Sequence, residues 1–270
     1  MKNKLIKNRQ INNYKDDSYC HPTKTKDKKV ISVISNKGGV GKTSIACCFA
    51  LSLSRELNKK TLLLELDCSP GDFGTLFDIT QDMSLEMAVR FNKSYKKYVK
   101  NAGKKLDVLR GVQDPIIAEN IDSMQVGDFL GSIINDYDYI VVDTHTVLTG
   151  ILLDFIKASD LLIMVSDPTM ESIARVSSYL QLLNSRFQIS KNKFKFVINK
   201  KRPFSYLKIW EISKIISLPI DSLIHFDRKF NKSNILFNEP KILRSCLFKQ
   251  VSRATRSIDA EFQDVKRQDA

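Results

Sequence analysis

The sequence lacks an apolar run of the roughly 18 residues that a membrane-spanning helix requires. Its most apolar region, ILLDFIKASDLLIMVS, is broken by Asp154, Lys157 and Asp160. No apolar stretch follows the polar, lysine-rich start, so no secretory leader is expected. Cysteine is sparse. The five residues Cys20, Cys47, Cys48, Cys68 and Cys246 form no C-x-x-C pair. Cys47 and Cys48 are neighbours on a helix-like stretch, where a mutual disulfide has poor geometry. Cys20 and His21 have no second pair to complete a metal site. Reduced core thiols in a reducing, cytoplasmic compartment are the expectation. Internal repeats and low-complexity tracts are also missing, so one domain should account for most of the 270 residues.

Acidic charge is in deficit: 43 Lys and Arg face 30 Asp and Glu, a net charge of +13. Such a balance favours contact with polyanions, either nucleic acid or an anionic membrane face. The excess is uneven. Residues 1–29 are polar and basic with little apolar periodicity, and read as a disordered or loosely held arm ahead of a domain over 30–270. A second basic stretch, RFNKSYKKYVKNAGKKLDVLRG, reads either as a polyanion contact or as a solubilising surface.

The domain alternates two patterns. Short β-branched runs (VISVIS, TLLLEL, YIVVD, LLIMVS, FKFVIN) predict buried parallel strands. Between them, TSIACCFALSLSREL, IDSMQVGDFLGSIIND, ESIARVSSYLQLLNSRF and YLKIWEISKII carry apolar residues three and four apart, as helices do. This predicts an α/β fold, a doubly wound, mostly parallel sheet with helices on both faces, whose ligands bind beyond the C-terminal strand ends.

The first strand runs into SNKGGVGKTS, residues 35–44. Gly38, Gly39, Val40 and Gly41 would wrap backbone N–H groups around phosphate oxygens at the start of a helix. Lys42 would reach the β- and γ-phosphates of a nucleotide, with the Thr43 hydroxyl on Mg²⁺ and Ser44 beside it. Asn36 stands where the strict motif has its first glycine. Asp143 closes YIVVD, where a P-loop nucleotidase holds the acidic partner of Mg²⁺. Asp67 closes TLLLELD, and Glu65, on the same face but deeper, competes with it. Each carboxylate has a plainer reading as a strand-end residue or helix cap.

With its early lysine, KGGVGKT resembles the deviant Walker A loop of the ParA/MinD ATPases. The likeness runs from about residue 29 to 245. LLLELDCSPGDFGTLFDI is similar to that group's second strand and switch loop, and YDYIVVDTHT to its Walker B segment. FKFVINKKR resembles the strand that ends at the adenine site, here Asn199 with Lys200. The wording of LDVLRGVQDP and CSPGDFG looks closest to the CpaE/TadZ branch, which places pilus and secretion machinery. The resemblance implies ATP and Mg²⁺ as ligands and an ATP-bound homodimer in which Lys37 crosses to the partner's nucleotide. It also implies that Asp67 orients the attacking water. The chain departs from the group in having Glu65-Leu66-Asp67 for Asp-x-Asp and Asp143-Thr144-His145-Thr146 for Asp-x-Pro-Pro, so slow, partner-stimulated hydrolysis is expected. His145 either caps a helix or tunes hydrolysis.

The output is read in three ways. In a C-terminal helix, Leu247, Val251, Ala254 and Ile258 form one stripe, and Lys249, Arg253 and Arg256 lie on the opposite side, able to meet DNA phosphates without base specificity. Such a protein would work on the nucleoid. A pilus or secretion localiser would instead act at a pole through an unidentified protein partner. A membrane switch on the C-terminal helix has only Phe248 and Phe262 to insert, so stable insertion is not expected. A nitrogenase-reductase-like enzyme would need bridging cysteines after the Walker strands, and the sequence has none there.

Overall fold

The computed structural model describes residues 28–66, 71–203, 207–232 and 239–268. The arm expected over 1–29 lies outside them except for Lys28 and Lys29, and Lys29 already pairs in the first strand. In chain order the elements begin β1 (Lys29–Ile34), α1 (Lys42–Leu51), β2 (Thr61–Glu65), α2 (Phe73–Leu76), α3 (Leu85–Arg90), β3 (Lys100–Asn101) and β4 (Leu106–Leu109). Next come α4 (Pro115–Glu119), α5 (Ser123–Ile133), β5 (Tyr139–Asp143), α6 (Gly150–Ala158), β6 (Leu161–Ser166) and α7 (Met170–Phe187). The chain ends with β7 (Phe194–Lys201), α8 (Ile209–Ile216), β8 (Ser222–His225), α9 (Arg228–Lys232), α10 (Glu239–Arg244) and α11 (Cys246–Gln268).

The eight strands form one sheet in the order β3-β4-β2-β5-β1-β6-β7-β8. Every pairing is parallel except β3 with β4. The strands are buried on both faces, which is why their sequences are continuously apolar. Alternate residues still go to different cores. Val30 and Ile34 of β1 join Leu62, Val142, Met164 and Phe196 beneath α5, α6 and α7. Ile31 and Val33 join Phe49, Val141, Ile163 and Val251 beneath α1 and α11. The α11 stripe supplies Leu247, Val251 and Ile258 to this second core, each under one tenth exposed.

Beyond Leu51, α1 widens into a π-helical turn over Ser52–Glu56, closed by Leu57 N–H donating to the Ser52 carbonyl at 3.1 Å. The turn carries Glu56 to α11, where its carboxylate accepts from Ser252 and, at 3.1 Å, from Arg256. The basic stretch 90–111 is partly sheet: Leu106, Val108 and Leu109 of β4 are core residues bordered by exposed lysines.

Candidate functional site

β1 delivers the chain to the loop at the C-terminal edge of the sheet, beside the two strands that flank it. Gly39 and Gly41 take left-handed φ values of 74° and 97°. A side chain at Gly41 would also collide with the Asn199 amide, so glycine is required there twice over. Val40, between them, turns its side chain into the core. α1 then starts at Lys42 with no acidic residue in its first turn and, among the described residues, no side-chain cap. Its first N–H groups and its dipole therefore face the loop, an arrangement that suits an anion.

Two cavities meet at this loop. One, of about 320 Å³, is lined by Gly41, Thr43, Ser44, Asn199, Lys200, Phe226 and Phe230 among others. The second, of about 490 Å³, is lined by Gly38, Thr144, His145, Val147 and Thr149. Gly39, Lys42 and Thr43 belong to both walls. An elongated ligand with a flat, partly apolar end and a polyanionic end fits this pair, anions on the loop and ring beside the two phenylalanines. The residues present therefore fit a nucleoside triphosphate.

Asn199 is 5% exposed. Its Nδ2 donates to the Val40 carbonyl and its Oδ1 accepts the Lys200 N–H, both at 2.8 Å. Lys200 has a left-handed φ of 59°, and its Nζ donates to the Gly39 carbonyl at 2.5 Å. Both residues thus brace the phosphate loop. The Asn199 amide has a second N–H and a second lone pair at the wall of the adjoining cavity.

Asp143 ends β5, 4% exposed, in register with Val33 of β1 and Glu65 of β2. Glu65 is 1% exposed, and its carboxylate accepts from Phe73 N–H at 3.0 Å and Gly111 N–H at 2.9 Å. It pins the segments after β2 and β4. Asp67 itself lies outside the described residues. Cys47 sits behind the loop: burial pushes its thiol pKa well up, and Asp143, Cys48, Glu65 and Asp72 push the same way. Cys47 and Cys48 are therefore buried protonated thiols.

Lys37 does not reach into its own loop. Its Nζ lies 3.2 Å from both Asp167 Oδ2 and Thr169 Oγ1 and 3.9 Å from Glu171 Oε2, at the β6–α7 junction. Burial works to raise the Asp167 pKa, but the hydrogen bonds from Thr169 and Lys37 and the lysine's charge act against it, and the carboxyl is held low. After β5, Thr144 Oγ1 donates to the Val33 carbonyl at 2.8 Å, tying that segment to β1. His145 Nε2 lies 3.3 Å from Thr149 Oγ1, and Thr149 caps α6 by accepting Leu152 N–H. His145 braces the cap; it is not the cap.

One residue the sequence reading passed over shapes the wall of the first cavity. Asp227, between β8 and α9, accepts Lys229 and Phe230 N–H through Oδ1, each at 3.0 Å. Its Oδ2 accepts Cys246 N–H at 3.0 Å and Leu247 N–H at 3.2 Å, capping α11 as well. An aspartate before a short basic helix was the available signal; the distant second helix start was not legible. Burial opposes ionisation, but the four backbone donors win and the pKa is lowered. This sets the sign of a pH effect. The stabilisation is complete above the ordinary carboxylate range and fades as pH falls through the depressed folded value. Asp227→Ala should cost about 2 kcal/mol, about 1 per cap. Thermal melts should show that gap at neutral pH and its shrinkage as pH falls below the ordinary carboxylate range. A gap unchanged with pH would assign the loss to packing.

Lys249 and Arg253 are exposed on α11. Arg256, grouped with them from helical spacing alone, is instead paired with Glu56 at 3.1 Å. The π-helical turn brings that carboxylate within reach, a detail that periodicity does not carry.

Comparison with known proteins agrees with this geometry. A family model described as AAA domain matches residues 28–196. An uncharacterized ATP-binding protein of Methanocaldococcus jannaschii is 26% identical over 261 residues, 89% of this chain and 92% of that protein. A ParA family ATPase from Chlorobium tepidum superposes with a TM-score of 0.76 at 23% identity, covering 84% of this chain and 98% of that one. The septum site-determining protein MinD from Pyrococcus horikoshii, complexed with Mg-ADP, gives a TM-score of 0.71 at 16% identity, covering 86% and 96%. At these identities the structural likeness is one of fold. Taken with the phosphate loop, its early lysine and the strand order, the family match shows that the chain belongs to the AAA domain family, in the ParA/MinD group of P-loop ATPases.

Proposed function

We propose that the chain is an ATP-dependent dimerising switch. It hydrolyses ATP to ADP and phosphate and uses the cycle to position or partition DNA or a cellular machine. The observation that carries this reading is the pair of cavities meeting at a glycine-built phosphate loop, with a second lysine, Lys37, just ahead of the loop glycines and bonded away from them to Asp167. Lys42 and the loop N–H groups bind the phosphates, and Asn199 and Lys200 keep the loop in shape and border the base. Thr43 and Asp143 would hold Mg²⁺, which when bound neutralises charge on the phosphates. Asp67 orients the attacking water. Exposed apolar side chains lie on or next to the site in the chain: Val147, 66% exposed, lines the second cavity, Ile116, at 71%, follows its wall residue Pro115, and Met170, at 56%, follows Thr169, which Lys37 contacts. Such exposure is costly in a permanent monomer and suits a face covered by a second copy.

The DNA arm of this proposal rests on the net charge and on Lys249 and Arg253. ATP-dependent, sequence-indifferent retention of DNA is expected, falling steeply with salt. Changing both residues to alanine should reduce the slope of log K against log salt by about two units. Light scattering with and without ATP would report the dimer in the same samples. A second reading, a CpaE/TadZ-like localiser acting through protein contacts, is favoured by the commitment of Arg256 to Glu56. An ATP-dependent dimer that retains no DNA at low salt would select it.

A further inference from the structure

Among the described residues, the wall of the first cavity carries two carboxylates, Asp72 and Asp227. The oxygens of Asp227 are occupied by four backbone N–H groups. Asp72 is used differently. It stands at the N-cap position of α2, where an aspartate ordinarily accepts a backbone N–H of the first turn, yet its side chain makes no such bond. It is exposed, and among the described residues its carboxylate has no hydrogen-bond or ion-pair partner. The backbone around it is nevertheless fixed. Phe73 N–H donates to Glu65, and the buried Phe73 ring meets Phe77 at 5.3 Å between centroids. On the other side, a Cβ at Gly71 would strike the Glu65 carboxylate. Burial chiefly raises the pKa of Cys47, and the Asp72 charge adds to it. Cys47 lies one turn beyond Thr43, so this carboxylate is held within electrostatic reach of the start of α1. A free aspartate on open surface needs no explanation; one in the wall of an anion-binding cavity does.

We infer that Asp72 reads the sugar of the nucleotide by accepting its ribose hydroxyls. The inference rests on the nucleoside triphosphate reading of this site and adds a specificity to it. Such a ligand brings phosphates, a base and a sugar into the cavity. The phosphates go to Lys42 and the loop N–H groups, and the base goes beside Phe226 and Phe230. Covalent connectivity puts the sugar between them. A free carboxylate repels phosphate and gains nothing from the electron-rich face of a ring. Hydroxyl donors suit it, because O–H···O⁻ bonds are short and roughly twice as strong as neutral ones. The vicinal diol of ribose offers two donors to the two oxygens of one carboxylate. Dinucleotide-binding folds use an acidic side chain on ribose for the same chemical reason. The fixed backbone on both sides of Asp72 means that little ordering is left to be done when the sugar arrives.

A site built to bond a hydroxyl discriminates against the analogue that lacks it, and the test is that ratio. The full-length wild type, Asp72→Ala and Asp72→Asn are titrated calorimetrically with Mg-ATP and with Mg-2′,3′-dideoxy-ATP. The wild type should bind ATP roughly tenfold or more tighter than the dideoxy analogue, the scale of one charge-assisted hydrogen bond. Asp72→Ala should weaken ATP by that factor. It should leave the analogue unchanged or slightly tighter, since a like charge has gone, so that the ratio falls to about one. Asp72→Asn keeps a neutral acceptor and should keep part of the ratio. The wild-type ratio needs no variant to fold. Equal wild-type affinities, or a ratio that survives in Asp72→Ala, would overturn the inference. Parallel loss of both nucleotides in Asp72→Ala would overturn it too, assigning Asp72 to the metal or to the fold. Binding of ATP without discrimination removes this inference alone, whereas no binding of either nucleotide by the wild type removes the nucleotide reading with it.

Discussion

Lys42→Ala is expected to abolish ATP binding. Lys42 is the first residue of α1 and lines both cavities, so among the described residues its ammonium is the cation that the two walls share. Backbone N–H groups and the helix dipole would remain, but they carry only partial charge. A triphosphate brought into this cleft would leave water without a full counter-charge, and that desolvation is expensive. A loss of at least roughly 100-fold in affinity follows, from the ~1.5–3 kcal/mol of a single charge-assisted bond and the cost of leaving the phosphate unpaired. Isothermal titration calorimetry of wild type and variant with Mg-ATP measures it. Equal affinities would remove Lys42 from the site.

The second large effect concerns Lys37, and it separates binding from turnover. Lys37→Ala should bind ATP nearly as the wild type does, because the side chain is bonded to Asp167 and Thr169, not to its own loop. Hydrolysis should fall by roughly 10³-fold, the scale of a cation supplied across an interface to a phosphoryl transition state. Lys37→Arg should rescue poorly, since a planar fork replaces a compact ammonium. Mixing decides where the lysine acts. In a heterodimer of Lys37→Ala with Lys42→Ala, the first subunit binds ATP and faces the intact Lys37 of the second. Recovered activity places Lys37 across the interface. No recovery, with loaded heterodimers verified by crosslinking, places it in its own site.

The strands that carry the site were legible because burial on both faces leaves no room for polar residues. LLIMVS corresponds to β6 residue for residue, and YIVVD to β5. The phosphate loop was legible because glycine is demanded by backbone geometry, not by packing. What stayed hidden depended on partners distant in sequence. β4 was masked by the lysines around it, and β8 is a four-residue edge strand whose pairing with β7 gives no period of its own. Nothing in TLLLELD shows that Glu65 ties Phe73 and Gly111 to the end of β2. Arg256 reads as a free cation until a widened helical turn brings Glu56 to it.

The double cap at Asp227 has a thermodynamic consequence. The same carboxylate holds the wall of the first cavity, through Phe230, and the start of α11, through Cys246 and Leu247. Leu247 also lines that cavity. The first turn of α11 therefore cannot shift without changing the shape of the pocket. A ligand in the pocket and a partner on the exposed face of the helix would act on residues held by one carboxylate. By reciprocity, whatever factor the ligand imposes on the affinity of the helix for its partner, the partner imposes on the ligand. The factor is therefore the same whether it is measured on the helix or in the pocket.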